Sequence, residues 1–356
     1  MMNIIGIDIG SEVSSVCVRG INGQIRREER MLTQVSKLKK LIKEVPRPRQ
    51  VVFEEGTQAA WLWSELECVC DDVLVCDPRQ SSKLAGQFKS DKNDARNLSR
   101  LAHAKLLSRV WHGGKELQAL KEAVRAYQNL TEQSTRLKNQ IRAVFRGRGI
   151  RVGQKAYGAT IRAKVVKELP LPVQRERIMS LGAVLDVVAE QRGKALKIMV
   201  QQARKNKMYK SLRRIDGIGP IFSAMFIAEV GDPRRFRTRQ QLWSYAGLAV
   251  TTYESSEFEL RGDCTVRKTR AVKTRGLVRS YNRTLKGMFK QAALTLSRTK
   301  WKAQFMTLLG RSKNANNALL TLARKHSSVM LHIAKTGEKY DLAKVFKAQQ
   351  VPLKEV

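Results

Sequence analysis

From Leu117 to Val144 the chain returns an apolar or small residue every three or four positions, through Leu120, Val124, Tyr127, Leu130, Ser134, Leu137 and Ile141. A run of that period builds one continuous face on a long α-helix and cannot be laid out as a strand. It also divides the chain. Ahead of it, residues 3–18 form an apolar stretch broken by Gly6 and Gly10, followed by a turn at Gly20 to Gly23 that suits a β-hairpin. A helix is predicted over 33–44, stopped by Pro46 and Pro48, then a short strand over 50–53, a helix over 59–67, and a strand over 73–76 ended by Asp77 and Pro78. Such alternation predicts a mixed sheet covered by helices. Behind the long run, a glycine-containing break over 147–158 precedes a second helical run over 173–212. Two long helices joined by a loop predict an antiparallel hairpin, either a projecting coiled-coil arm or part of a compact bundle. Residues 215–335 read as helical throughout. The expected fold is therefore α/β plus α, with a sheet domain over 1–112, a helical arm over 113–211, a basic helical domain over 212–340 and a tail over 341–356.

Charge then narrows the partners. With 68 Lys and Arg against 31 Asp and Glu, the formal charge is +37, so a polyanion is the expected partner. Between Arg261 and Lys313 fifteen cations face one acid, Asp263. A solvated face would mix both signs, so this segment is the strongest local candidate for phosphate contact, through Arg261, Arg267, Lys268, Arg270, Lys273 and Arg275. The cations run through the whole chain instead of clustering beside an apolar anchor, which argues against a membrane-surface role. No apolar run approaches the roughly 20 residues that span a bilayer, and the first residues are strand-like, so a cytoplasmic, nucleoid-associated protein is expected. Of the five cysteines, Cys68, Cys70 and Cys76 lie close together without a nearby histidine, a poor zinc pattern that predicts buried, reduced thiols.

Four acids carry the chemistry. Asp8 sits inside the apolar strand of IGIDIGSE, where a carboxylate is costly to bury without a compensating cation. Glu54 ends VVFEE, with Glu55 directly after it as the competing choice. Asp91 and Asp94 stand in SDKNDARNLSRLA, and their i, i+3 spacing at a helix start puts both on one face. Oxygen ligands of this kind suit Mg²⁺, and two ions roughly 3.5–4 Å apart stabilise both the attacking and the leaving oxygen of a phosphodiester displacement. Each acid alone has a plainer use. Asp91 would serve as an N-cap, Asp94 as a first-turn acid, and Asp8 as part of a phosphate loop in a kinase-like fold. It is the order of strand acid, second strand acid and helical acid pair, on a strongly basic chain, that favours the metal site.

Further along, LRRIDGIGPIFSAMFIAEVGD places Gly217 and Gly219 between two helical patterns, the spacing of a helix-hairpin-helix turn whose amides would hold a phosphate. In WSYAGLAVTTYESSEFELRGDC, Tyr253, Ser255 and Ser256 lie between a glycine turn and the basic run. Their hydroxyls could serve as phosphate ligands, strand residues or a nucleophile; no histidine triad selects among them, and a serine in such a place is most often structural.

Together, IGIDIG, FEEGT, CDP, SDKNDAR, the IDGIG block, YAGL, YES and RG resemble the DEDD-type insertion-sequence transposases, a Piv-like family with a RuvC-like, ribonuclease-H-like N-terminal domain that includes bridge-RNA-guided recombinases. The resemblance implies a RuvC-like domain, a coiled-coil arm used in dimerisation, and a C-terminal transposase domain. It implies that Asp8, Glu54, Asp91 and Asp94 hold Mg²⁺, two ions with Mn²⁺ as a substitute, and that Ser255 is a nucleophile that becomes covalently linked to DNA. Implied partners are donor and target DNA, a structured non-coding guide RNA, and a second copy of the chain, with dimers pairing into a tetramer. The competing function is a metal-dependent nuclease or Holliday-junction resolvase in which water attacks.

Overall fold

The computed structural model describes residues 2–84, 91–253, 258–261, 264–267 and 273–347, which divide into two compact units at Gln118/Ala119. The first unit runs β1 (Asn3–Asp8), β2 (Val13–Arg19), β3 (Ile25–Leu32), α1 (Val35–Glu44), β4 (Arg49–Glu54), α2 (Ala59–Leu66), β5 (Asp72–Cys76), α3 (Pro78–Leu84) and α4 (Asp91–His103). Its five strands pair in the order β3-β2-β1-β4-β5. The first three are antiparallel neighbours, and β4 and β5 run parallel to β1. Helices α1 and α2 supply the crossovers that parallel pairing requires.

Both faces of the sheet are covered, and β1 and β4 are accordingly buried at nearly every position. Ile5, Ile7, Val16, Val51, Phe53 and Val75 pack against Leu38, Leu41, Ile42, Leu62 and Leu66 of α1 and α2. On the opposite face Ile4, Val52 and Cys76 meet Leu98 and Ala102 of α4. Strand β3 closes one edge with the charged run Arg26 to Arg30, and Glu28 there pairs with Arg96 of α4. Of the thiols expected to be buried, Cys70 and Cys76 are, whereas Cys68 is exposed in the turn after α2.

Helix α5 (Lys115–Arg146) carries the chain across the division between the units. The second unit continues with α6 (Ala159–Val165), α7 (Pro172–Arg204), α8 (Met208–Leu212), α9 (Pro220–Val230) and α10 (Arg239–Tyr245). Ile141 and Phe145 near the end of α5 join Ile178 and Leu185 of α7 in one cluster, so the two long helices meet around the break between them. The second helical run does not extend unbroken to Leu212. Lys205 to Lys207 interrupt it before α8.

Four strands follow: β6 (Val250–Tyr253), β7 (Phe258–Arg261), β8 (Cys264–Arg267) and β9 (Lys273–Leu277). This corrects the expectation that the basic third of the chain is helical throughout. The antiparallel pair β7–β8 lies between β6 and β9, which pair with each other. The physical reason is local. VTTY, FELR and CTVR are short, rich in β-branched and aromatic residues, and carry no three-four period.

The chain closes with α11 (Arg283–Arg298), α12 (Lys302–Arg311), α13 (Ala315–Thr336) and α14 (Leu342–Lys347). The core of this unit gathers around α9, which is apolar nearly all round and therefore sits inside. Phe226 of α9 meets Phe289 of α11 edge to face at 6.3 Å. His326 of α13 is fully buried beside Trp301, 5.5 Å away, and a ring nitrogen bonds to the Asp216 carbonyl at 2.9 Å. Burial holds this imidazole neutral and pushes its pKa down to about 4.

The unfolded chain, with an ordinary histidine pKa near 6.5, binds a proton that folded His326 refuses between those two values. His326 therefore contributes stability that is complete above about pH 6.5 and is lost as pH falls toward 4, on the order of 3 kcal/mol in all. Urea midpoints measured from pH 7 to 4.5 should fall less steeply in His326→Gln, and an identical slope in both proteins would refute this assignment.

Candidate metal and nucleic-acid site

The acidic residues are organised by strand register. Strand β1 pairs with β4 from Asn3 opposite Arg49 to Gly6 opposite Val52, and continuing that offset brings Asp8 level with Glu54. Each is the last residue of its strand, so both lie at the carboxyl end of adjacent parallel strands. Side chains alternate along a strand, and Ile4 and Val52 face α4. Asp8 and Glu54 therefore share the α4 face.

Helix α4 runs antiparallel to β1 across that face. Leu98 and Ala102 meet Ile4, and Ala95 and Ser99 sit over Gly6, so the start of the helix, with Asp91 and Asp94, approaches the end that carries Asp8. Gly6 permits the approach. A Cβ there would stand 2.4 Å from the Ala95 carbonyl oxygen and 2.8 Å from the Ser99 amide nitrogen, both backbone atoms. Asp8, Glu54 and Asp94 are each half-buried. Asp91 opens α4, and its side chain lies outside the described residues. Among the described residues no three His, Cys, Asp or Glu side chains gather closely enough to hold a metal ion. The chemistry of the carboxylates on this face nevertheless fits a hard divalent cation, which takes oxygen ligands.

The two adjacent glutamates differ in what surrounds them. Glu54 accepts a hydrogen bond from the buried hydroxyl of Ser81. Glu55 is paired instead with His112 Nε2 at 2.7 Å, and that imidazole stacks on Trp63 at 5.9 Å, a residue packed against the α1/α2 face. Cys76 lies opposite Glu54 in β5, and burial together with the Glu54 charge pushes its thiol up to about 12. It stays protonated and adds no charge beside Glu54.

In the second unit Gly217 and Gly219 form the turn between α8 and α9. Gly217 takes a positive φ of 76°. Gly219 is the N-cap of α9, followed by Pro220 in the first turn. No side chain caps that helix start. Arg213 donates to the Ile218 carbonyl at 3.3 Å and stands 3.9 Å from where a Cβ on Gly219 would be. Asp216, in the same turn, accepts from Tyr340 at 2.9 Å and pairs with Lys300 at 2.9 Å.

Ser255 and Ser256 lie outside the described residues, in the link between Tyr253 of β6 and Phe258 of β7. Lys268 and Arg270 also lie outside them. Arg261 ends β7, Arg267 ends β8, and Lys273 and Arg275 are in β9. Register puts Lys273 opposite Tyr253 and Arg267 opposite Phe258, so cationic positions stand across from both ends of the serine link. Sequence reasoning missed Ser81, His112 and Arg213. Only Arg213 left a signal, as part of a basic pair directly before the glycine turn.

Residues 5–148 match the transposase domain family DEDD_Tnp_IS110, and residues 209–307 match the transposase IS116/IS110/IS902 family. The chain is 23% identical, over 92% of its length and 95% of the relative's, to a probable family 20 transposase of Pseudomonas aeruginosa. It is 22% identical to the transposase for insertion sequence element IS1111A of Coxiella burnetii, over 95% of this chain and 91% of that one. A Sinorhizobium fredii protein named as transposase y4qE is 25% identical over 68% of this chain, an alignment that spans 62% of that relative's length. No helix among the described residues is long and apolar enough to cross a membrane.

The contact of α4 with β1 at Gly6 is open to direct test. Gly6→Ala would force backbone apart and should destabilise the protein by about 1–3 kcal/mol. A thermal midpoint unchanged from wild type would show that α4 does not sit on β1 as described.

Proposed function

The chain belongs to the IS110 family of transposases, and from that premise we propose that it cuts and rejoins DNA through attack by Ser255, aided by Mg²⁺ held at Asp8, Glu54, Asp91 and Asp94. The observation that carries this reading is the in-register placement of Asp8 and Glu54 at neighbouring strand ends, on the face over which α4 lies. The sheet order β3-β2-β1-β4-β5 supports a RuvC-like domain. Of the two adjacent glutamates, Glu54 is assigned because it shares that face, while Glu55 is engaged by His112. When bound, a pair of divalent cations would neutralise the phosphodiester and favour the ionised hydroxyl.

The remaining work falls to the chain. The Ser255 hydroxyl loses its proton, its oxygen bonds to phosphorus, and the displaced deoxyribose oxygen leaves with the electron pair and is protonated. A hydroxyl from the partner strand then attacks the phosphoserine, a new phosphodiester forms, and the serine is released. One phosphodiester is lost and one gained, so no nucleotide triphosphate is needed. Arg267 and Lys273, at register positions across from the ends of the serine link, are assigned to backbone phosphates, and the cationic sequence that also holds Arg261, Lys268, Arg270 and Arg275 is assigned the same role. The turn at Gly217 and Gly219, with Arg213 beside it, suits one more phosphate at the start of α9.

A charge of +37 accommodates an RNA as well as donor and target duplexes, and we assign sequence choice to a guide RNA, with protein reading backbone and shape. Helix α7 turns Val173, Val184, Val187 and Ile198 outward, each more than half exposed, which favours a second copy of the chain as its cover. Dimers would pair on the two DNA partners.

Purified protein incubated with Mg²⁺, copurifying RNA and both DNA sites should give a DNA-linked species on a denaturing gel. Ser255→Ala and Asp8→Asn should each lower its yield on the order of 10²-fold or more, and Ser256→Ala should not. An undiminished adduct in Ser255→Ala would reject this nucleophile, and cleavage to free ends without protein-linked DNA would establish water as the attacking group. Sequencing the copurified RNA should return one discrete species, and random fragments would refute guidance.

A further inference from the structure

We propose that Ser81 is a positioning residue that holds the Glu54 carboxylate for cation binding, an inference that rests on the carboxylate reading above. Ser81 is 4% exposed and lies in α3, the helix that follows β5 directly. Its hydroxyl donates to Glu54 Oε1, with the Pro78 carbonyl 3.1 Å away and the Asp77 carbonyl 3.5 Å away as competing acceptors. One proton cannot serve all three. The ionised carboxylate is the strongest acceptor and takes it.

That bond has a mechanical consequence. The terminal torsion of a glutamate is broad and two-fold, so a half-buried Glu54 would otherwise sample many orientations. Anchoring Oε1 removes that freedom and leaves Oε2 as the oxygen available to a cation. Two described neighbours of Glu54 do not supply the same restraint. Glu55 is committed to His112, and Cys76 offers only a weak thiol donor. Ser81 itself is held by its helix and by burial, so it can orient a ligand without moving with it. Hydrogen bonds of this outer kind typically govern metal affinity by 10- to 100-fold.

The test uses the full chain and Mn²⁺ as probe, with free aquo-Mn²⁺ followed by electron paramagnetic resonance. Ser81→Thr and Ser81→Val are nearly the same shape and differ in the hydroxyl, so folding is matched and checked by thermal melting. Thr should bind Mn²⁺ within about threefold of wild type, and Val should bind about 10- to 100-fold more weakly. Equal affinity for the Thr and Val variants, with Asp8→Asn still abolishing binding, would overturn the role of Ser81 while leaving the carboxylate reading intact. Wild-type affinity retained in Asp8→Asn would instead refute the carboxylate reading, and with it this proposal.

Discussion

The absence of a side chain at Gly6 is the constraint on which the first unit turns. Helix α4 approaches β1 closely enough that a Cβ would collide with two of its backbone atoms. Around this contact the Arg96–Glu28 pair ties the helix to the far edge strand, and Leu98 and Ala102 fill the space over Ile4 and Val52. Since the helix runs antiparallel to β1, its acidic first turn is carried toward the strand end where Asp8 and Glu54 stand level. Ordinary packing thus sets Asp8 and Glu54 at neighbouring strand ends on the face over which α4 lies.

In the second unit a glycine turn plays the corresponding part. Gly217 adopts a backbone conformation with positive φ, and the chain on either side is anchored by groups from distant elements. His326 reaches the Asp216 carbonyl, Tyr340 and Lys300 reach the Asp216 side chain, and Arg213 reaches Ile218. The turn before α9 is consequently tied to α8, α13 and the segments around Lys300 and Tyr340.

Much of this was legible in the chain itself. The three-four period of α5 is long enough to be unambiguous, and the apolar strands flanked by Gly and Pro punctuation located β1, β4 and β5. Strands β6 to β9 were not legible, because they are four or five residues long, and β8 and β9 lie in a cationic run whose composition also suits helices. Ser81 was invisible for a different reason. Serine is common on any surface, and its partner Glu54 is 27 residues away, so only folding reveals the pair. Cys68 was misjudged because a turn exposes it while its neighbours Cys70 and Cys76 go inside.

The sequence by itself determined which acids are present, their order along the chain, the change from α/β to helical architecture, and the excess of positive charge. Those are properties of composition and of local period, and they survive any arrangement in space. What the tertiary structure decided is which of two adjacent glutamates shares a face with Asp8. Strand alternation sends neighbours to opposite sides, so the answer depends on the register between β1 and β4 and on where β4 ends. A shift of one residue would exchange Glu54 for Glu55, and that register is set by core packing on both faces of the sheet, which no local reading of the chain contains.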